Sequence, residues 1–210
     1  MGKQTAIHEQ VLNTESTDEL MDLYEDWAAV YDRDVNDTWG YSGPDRTLFW
    51  LRRYLEPEGA LVLDAGCGTG LVGVALSQGG YKHINGIDYS KAMLAEAAKK
   101  NVYQQLQQMN MNVALPIDAG AYDGVTCVGT FTSAHVVPEA LRELVRITRS
   151  GGIVCCTVRE EYWQETHFPE VLNQIVKSGG AALKQLCDEP YVHSEESTCK
   201  MVVLEVTQAA

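Results

Sequence analysis

Short apolar runs alternate along this chain with stretches whose apolar positions recur every three or four residues. The runs Ala60–Ala65 (ALVLDA), Ile84–Asp88 (INGID), Gly124–Gly129 (GVTCVG) and Ile153–Val158 (IVCCTV) have the length and continuous hydrophobicity of strands buried on both faces. Between them Gly70–Gln78, Ser90–Lys100 and Pro138–Arg149 carry helical periodicity. Ser90 is placed to cap the second of these helices, whose apolar face is Met93, Leu94 and Ala97. Pro138 suits the first turn of the third, which buries Leu141, Leu144, Val145 and Ile147 or Thr148, and Gly151-Gly152 reads as its end. Two helices are expected before the first strand. One has Leu20, Leu23, Tyr24, Trp27, Val30 and Tyr31 on one face; in the other, Pro44 opens a run with Leu48, Leu51 and Leu55. After a helix over Phe168–Lys177, Ala182–Cys187 and Thr198–Val206 read as two strands joined by a polar loop.

Alternation of strand and helix implies a parallel sheet with helices on both faces. The expected fold is therefore α/β: a Rossmann-like, doubly wound, mostly parallel sheet with an antiparallel C-terminal edge hairpin. At 210 residues the chain suits one domain. Residues 59–210 form its Rossmann-like part and residues 1–58 a helical cover. The aromatics of that cover fit core packing as well as a lid over the strand ends, where open sheets of this kind bind ligands.

The net charge of −13 argues against a nucleic-acid substrate, because phosphate binding rests on clustered Lys and Arg, and here the basic runs are single pairs such as Lys99-Lys100. The same scarcity argues against an anionic membrane surface, and no apolar stretch has the length of a membrane span. Six scattered cysteines without ligand spacing read as buried or half-buried free thiols, with Cys155 and Cys156 on opposite faces of one strand. The cytoplasm is the expected compartment, no metal is expected, and the chain reads as a monomer or weak homodimer.

Asp64-Ala65-Gly66-Cys67-Gly68-Thr69-Gly70-Leu71 follows an apolar strand and opens a helix, the context of a nucleotide-binding turn. Glycines let backbone N–H groups approach a ligand near the positive end of a helix. A dinucleotide fingerprint starting at Gly66 would need Gly or Ala where Leu71 stands. Asp88, ending the second strand about twenty residues on, is placed to accept both hydroxyls of a ribose. The D-x-G-x-G-x-G pattern resembles motif I of the class I S-adenosylmethionine-dependent methyltransferases. Asp123 ahead of the fourth strand and Leu141–Gly152, similar to a family helix ending in L-K-P-G-G, extend the likeness to about residues 20–206. Tyr24–Val35, the glycine turn and Val128-Gly129-Thr130 resemble the subgroup of methyltransferase-like proteins of the Williams–Beuren syndrome region.

The resemblance implies S-adenosylmethionine as cofactor and S-adenosylhomocysteine as product. It places Gly66, Gly68 and Gly70 around the methionine part, with Asp64 in support, Asp88 on the ribose, and Cys67 and Met93 among the further residues that bind the cofactor. Tyr89 could lie against the adenine, Gly129 and Thr130 face the methionine end, and Tyr31 and Trp27 cover the cofactor. Many relatives have an acid for the adenine amino group where Met111 stands; Met111 could pack on the adenine and Asn112 supply a carbonyl. His135, after the fourth strand, is the candidate base, and Tyr41 could line the substrate entrance. Glu160 and Glu161 read as solvated. The expected activity is methyl transfer to a small-molecule acceptor. The alternatives are a non-catalytic sensor of the cofactor or its product and a nicotinamide-dependent oxidoreductase, which Leu71 disfavours.

Overall fold

The computed structural model describes residues 27–28, 31–34, 40–132 and 136–207. Its elements are α1 (Gly43–Leu51), β1 (Leu61–Ala65), α2 (Leu71–Gln78), β2 (His83–Asp88), α3 (Lys91–Lys99), β3 (Gln105–Gln108), β4 (Tyr122–Phe131), α4 (Ala140–Ile147), β5 (Thr148–Arg159), α5 (Glu160–Glu165), α6 (Phe168–Lys177), β6 (Ala181–Val192) and β7 (Ser197–Val206). Residues 27–28 and 31–33 are helical.

The seven strands form one sheet in the order β3-β2-β1-β4-β5-β7-β6. β3, β2, β1, β4 and β5 are parallel, and β7 runs antiparallel between β5 and β6. The chain winds outward from β1 to β3, then crosses back to β4, so the order reverses between β1 and β4. This is the fold expected from the alternating pattern.

Strand alternation sends neighbouring residues to opposite faces. Leu63, Val125, Cys127, Val154 and Cys156 pack with Leu141 and Leu144 of α4 and Phe168 and Leu172 of α6. Val62, Ile153, Cys155 and Val203 pack on the other side with Leu51 of α1 and Leu76 of α2. Cys155 and Cys156 therefore do face opposite layers, and all six cysteines are free thiols, five of them buried. Among the described residues no helix is long and apolar enough to cross a membrane.

Several boundaries differ from the sequence reading. The third helix begins at Ala140, two residues after Pro138, because Ala140 and Leu141 donate to the carbonyls three residues back and make a tight turn first. It ends at Ile147, not at Gly151-Gly152. Thr148 is extended (φ −90°, ψ 134°), and its hydroxyl donates to the Leu144 carbonyl at 2.7 Å, satisfying one terminal acceptor. The glycine pair instead lies within β5, where a Cβ on Gly152 would stand 2.7 Å from the Asp123 carbonyl. Glu160 and Glu161 open helix α5, whose Tyr162 is buried and donates to the Val136 carbonyl at 2.6 Å. Both hairpin strands are longer than expected.

α1 is fastened to the end of β6 by one carboxylate. Glu189 accepts two hydrogen bonds from Arg46, each 2.7 Å, and one from the Trp50 indole at 2.6 Å. Burial pushes its pKa up, but these donors outweigh burial and hold it below the ordinary 4.5. Arg46→Ala is expected to lower the unfolding free energy by about 1–2 kcal/mol at pH 7, allowing for the guanidinium's solvent contact. Because the depressed pKa stabilises the fold only while Glu189 is ionised, the difference from wild type should shrink as pH falls below about 4.5. Urea melts at pH 7 and pH 4 measure both.

Candidate active site

Parallel pairing sets Ala65 opposite Ile87. Immediately beyond, the N–H groups of Gly66 and Cys67 both donate to the Ile87 carbonyl, at 2.8 and 2.9 Å. The chain leaving β1 is thus held against the tip of β2 while it bends into α2. Gly66 has φ +74°, and a Cβ there would lie 2.3 Å from Thr130 Oγ1, so both the backbone conformation and the space require glycine. At Gly68 a Cβ would meet nothing within 4 Å: the turn opens onto a cleft.

Asp88 reaches the same cleft. Its carboxylate accepts from the N–H of Gly68 at 2.8 Å and from the N–H of Ser90 at 2.8 Å. A carboxylate offers roughly four acceptor positions, so capacity remains for a ligand. Burial raises its pKa despite these donors. Ser90 caps α3 as expected, its Oγ accepting from Met93 N–H at 3.2 Å.

The cleft lies over the ends of β1, β2 and β4, at the reversal of strand order. Of the residues expected around a cofactor, Tyr31, Gly66, Cys67, Gly68, Asp88, Tyr89, Met93, Met111, Asn112, Gly129 and Thr130 line it, as does Tyr41. Three others stand behind the lining. Asp64 is fully buried, accepting from Tyr103 Oη at 2.7 Å and Thr126 Oγ1 at 3.2 Å. Burial raises its pKa to about 6 against the pull of those two hydroxyls. Gly70 caps α2 and packs on Tyr103. Trp27 is buried with its ring edge on Tyr31, 4.7 Å between centroids, and its indole donates to Asp34. His135 lies outside the described residues.

The structure also brings in residues to which the sequence assigned no contact with a cofactor. Thr69, Leu71, Val72, Met109, Asn110, Val128 and Val136 complete the lining. Asn112 Oδ1 accepts from Val137 N–H at 2.8 Å, tying the segment after β3 to the loop after β4. Asp32 accepts from Thr69 Oγ1 at 2.5 Å and pairs with Lys100, pinning the residue after Tyr31 to the glycine turn. Tyr41 stands edge-on to Tyr191, 5.2 Å between centroids, and its Oη lies 3.0 Å from where a Cβ on Gly129 would project. Burial, then the neighbouring Tyr191 and Tyr31, push the Tyr41 phenol well above its ordinary value. It stays protonated at neutral pH and acts as a donor. These partners sit up to 150 positions apart in sequence, so only a folded chain displays them.

Sheet order, glycine turn and the acid at the next strand tip together reproduce the Rossmann-like fold of the class I S-adenosylmethionine-dependent methyltransferases. Residues 63–156 match the family described as "Methyltransferase domain". Methyltransferase-like protein 27 of Homo sapiens is 37% identical over 140 residues, 65% of this chain and 56% of that protein. EEF1A lysine methyltransferase 2 of Mus musculus is 29% identical over 125 residues, 49% of this chain and 51% of that protein. The chain thus spans about half the length of these curated relatives. In the solved complex between the Haloferax volcanii Trm112 methyltransferase activator and a putative methyltransferase, the matched chain superposes with a TM-score of 0.66 at 19% identity. That match covers 88% of this chain and 98% of that one.

Gly66→Ala combines a strained left-handed residue, costing about 1–2 kcal/mol, with a methyl group on Thr130. Titration calorimetry should show S-adenosylhomocysteine binding weakened at least tenfold. Unchanged affinity would mean that the turn is not in contact with ligand.

Proposed function

We propose that this protein transfers the methyl group of S-adenosylmethionine to a small, neutral acceptor. The observation that carries the reading is that the glycine turn and Asp88 open on one cleft and are joined by the Gly68–Asp88 hydrogen bond. In this reading Gly66, Cys67 and Gly68 surround the methionine part, Asp88 takes the ribose hydroxyls, and Tyr89, Met93 and Met111 flank the adenine. Gly129 and Thr130 lie at the methionine end. Asp64 and Gly70 shape the turn from behind, and Trp27 backs the Tyr31 cover. Tyr31, Trp27 and residues 40–58 belong to the cover expected over residues 1–58, of which residues 1–26, 29–30 and 35–39 lie outside the described residues.

Bound there, S-adenosylmethionine supplies an electrophilic methyl carbon on a sulfonium, which the acceptor's lone pair attacks as the carbon–sulfur bond breaks. The protein's work is alignment, which alone can lower a barrier by roughly 7–11 kcal/mol. Gly129 lies at the transfer end with the phenols of Tyr41 and Tyr191 over it. A protonated phenol holds an acceptor by donating to its oxygen or nitrogen. Phenols and aliphatic carbons make up much of the described lining, Tyr31, Tyr41, Val128 and Val136 among them, which suits an uncharged molecule better than a lysine ammonium. His135 is the base we assign on sequence grounds, needed only where the acceptor loses a proton.

Asp88→Asn removes the charge that the ribose hydroxyls would bond to. S-adenosylhomocysteine affinity should fall about ten- to hundredfold, while the melting temperature changes little. Turnover is tested by following methyl label from S-adenosylmethionine into a panel of phenols, amines, thiols and lysine peptides. Tight binding with no transfer to any member would replace the enzyme with a sensor, and transfer to the peptides alone would replace the small molecule with a protein.

A further inference from the structure

Tyr103 stands between α3 and β3, in a stretch where no sequence pattern marked it. Its ring fills a slot made by three glycines. A Cβ on Gly73 would lie 2.3 Å from its Oη, one on Gly70 3.1 Å from Cε2, and one on Gly86 3.1 Å from Cδ1. Gly70 and Gly73 belong to the start of α2 and Gly86 to β2. At the end of the slot Oη donates to Asp64 Oδ2 at 2.7 Å. Asp64 also accepts from Thr126 of β4 and from the N–H of Gly73. One side chain therefore joins the start of α2, the end of β1 and the middle of β2, the three pieces that form the bend.

We infer that Tyr103 is a positioning residue of the cofactor site, locking the start of α2 onto β1 and so fixing the turn that receives S-adenosylmethionine. This rests on the turn being the cofactor site. A plain packing role would need the ring alone; the positioning role also needs the hydroxyl, because the hydroxyl steadies Asp64 in its ionised, accepting form. The titratable groups facing Asp64 are Tyr103 itself, Asp88 at the tip of β2, Cys67 in the turn and Cys127 of β4. Burial pushes both thiols and the phenol above their ordinary values, so near pH 6 they keep their protons while Asp64 changes charge.

Tyr103→Phe keeps the ring and deletes the hydroxyl. A carboxylate that loses a donor protonates more readily. Titration of S-adenosylhomocysteine between pH 5 and pH 9 should show wild-type affinity falling as pH drops through about 6, and the fall should begin at higher pH in the variant. At pH 7 the variant should bind roughly three- to tenfold more weakly, and at pH 9 within about twofold of wild type. The same acid limb in both proteins overturns the proposal, as does an equal loss at every pH. Melting curves without ligand give a second readout. A raised carboxyl pKa destabilises the fold above it, and the penalty is relieved as pH falls through it, so relief should start at higher pH in Tyr103→Phe. Identical melting profiles overturn the inference. Wild-type protein that binds no S-adenosylhomocysteine, with the shifted melting profile intact, would sink the cofactor reading and leave the Tyr103–Asp64 lock standing as a structural device.

Discussion

The site depends on the parallel register of β1 and β2. Because Ala65 sits opposite Ile87, the next two amides past β1 find the Ile87 carbonyl, and the third residue, Gly68, finds the carboxylate of Asp88. A slip of one residue in this pairing would turn every strand side chain to the opposite layer and carry Asp88 away from the turn. The two hydrophobic layers prevent that slip, since Val62 and Ile84 must face α1 and α2 while Leu63 and Ile87 face the α4 and α6 side. Core packing thus fixes ligand geometry at two strand tips.

What the sequence made legible follows from how each feature is encoded. Buried parallel strands read as continuous apolar runs, and β1, β2, β4 and β5 were placed by them. β3 was invisible: Gln105-Leu106-Gln107-Gln108 has no apolar alternation, because an edge strand joined to the sheet on one side needs only backbone pairing with β2. The helix ahead of β5 was drawn too long because glycine is the strongest stop signal in a chain, whereas Thr148 stops this helix through its hydroxyl and an extended backbone. The glycine turn and Asp88 were legible because both are local, at strand ends and in order. Asp64 and Gly70 belong to the motif yet stand behind the cleft lining, since a spacing pattern does not separate residues that face a cleft from residues that hold the facing ones. Tyr103, Tyr191 and Asp32 were illegible because their roles are defined by partners 37 or more residues away.

The covering wall is built by the same logic of distant fastening. The residues around Tyr41 are tied to the end of β6: Ser42 N–H donates to the Tyr191 carbonyl at 3.0 Å and its hydroxyl to the Pro190 carbonyl at 2.6 Å. Glu189 then takes Arg46 and Trp50 of α1. Gly129 N–H donates to Thr157 Oγ1 at 3.0 Å, which sets the end of β4 beneath the phenols. The long β6 is therefore more than a sheet edge. It reaches back across the strand ends to hold the segment that closes one side of the cleft, and Asp32 on Thr69 and Lys100 does the corresponding work on the other side.

Asp64 shows what this geometry costs. A carboxyl whose pKa stands near 6 in the fold, against an ordinary 3.8, destabilises the folded state by about 3 kcal/mol at neutral pH. An apolar side chain would relieve that penalty but leave Tyr103, Thr126 and the Gly73 N–H without their common acceptor, and an amide would offer one accepting oxygen where Tyr103 and Thr126 use two. Asp88, also raised by burial, adds a second negative charge close by and makes ionisation of Asp64 harder. Leu71, standing where the dinucleotide fingerprint requires a small residue, separates this turn from that of a dinucleotide-binding fold.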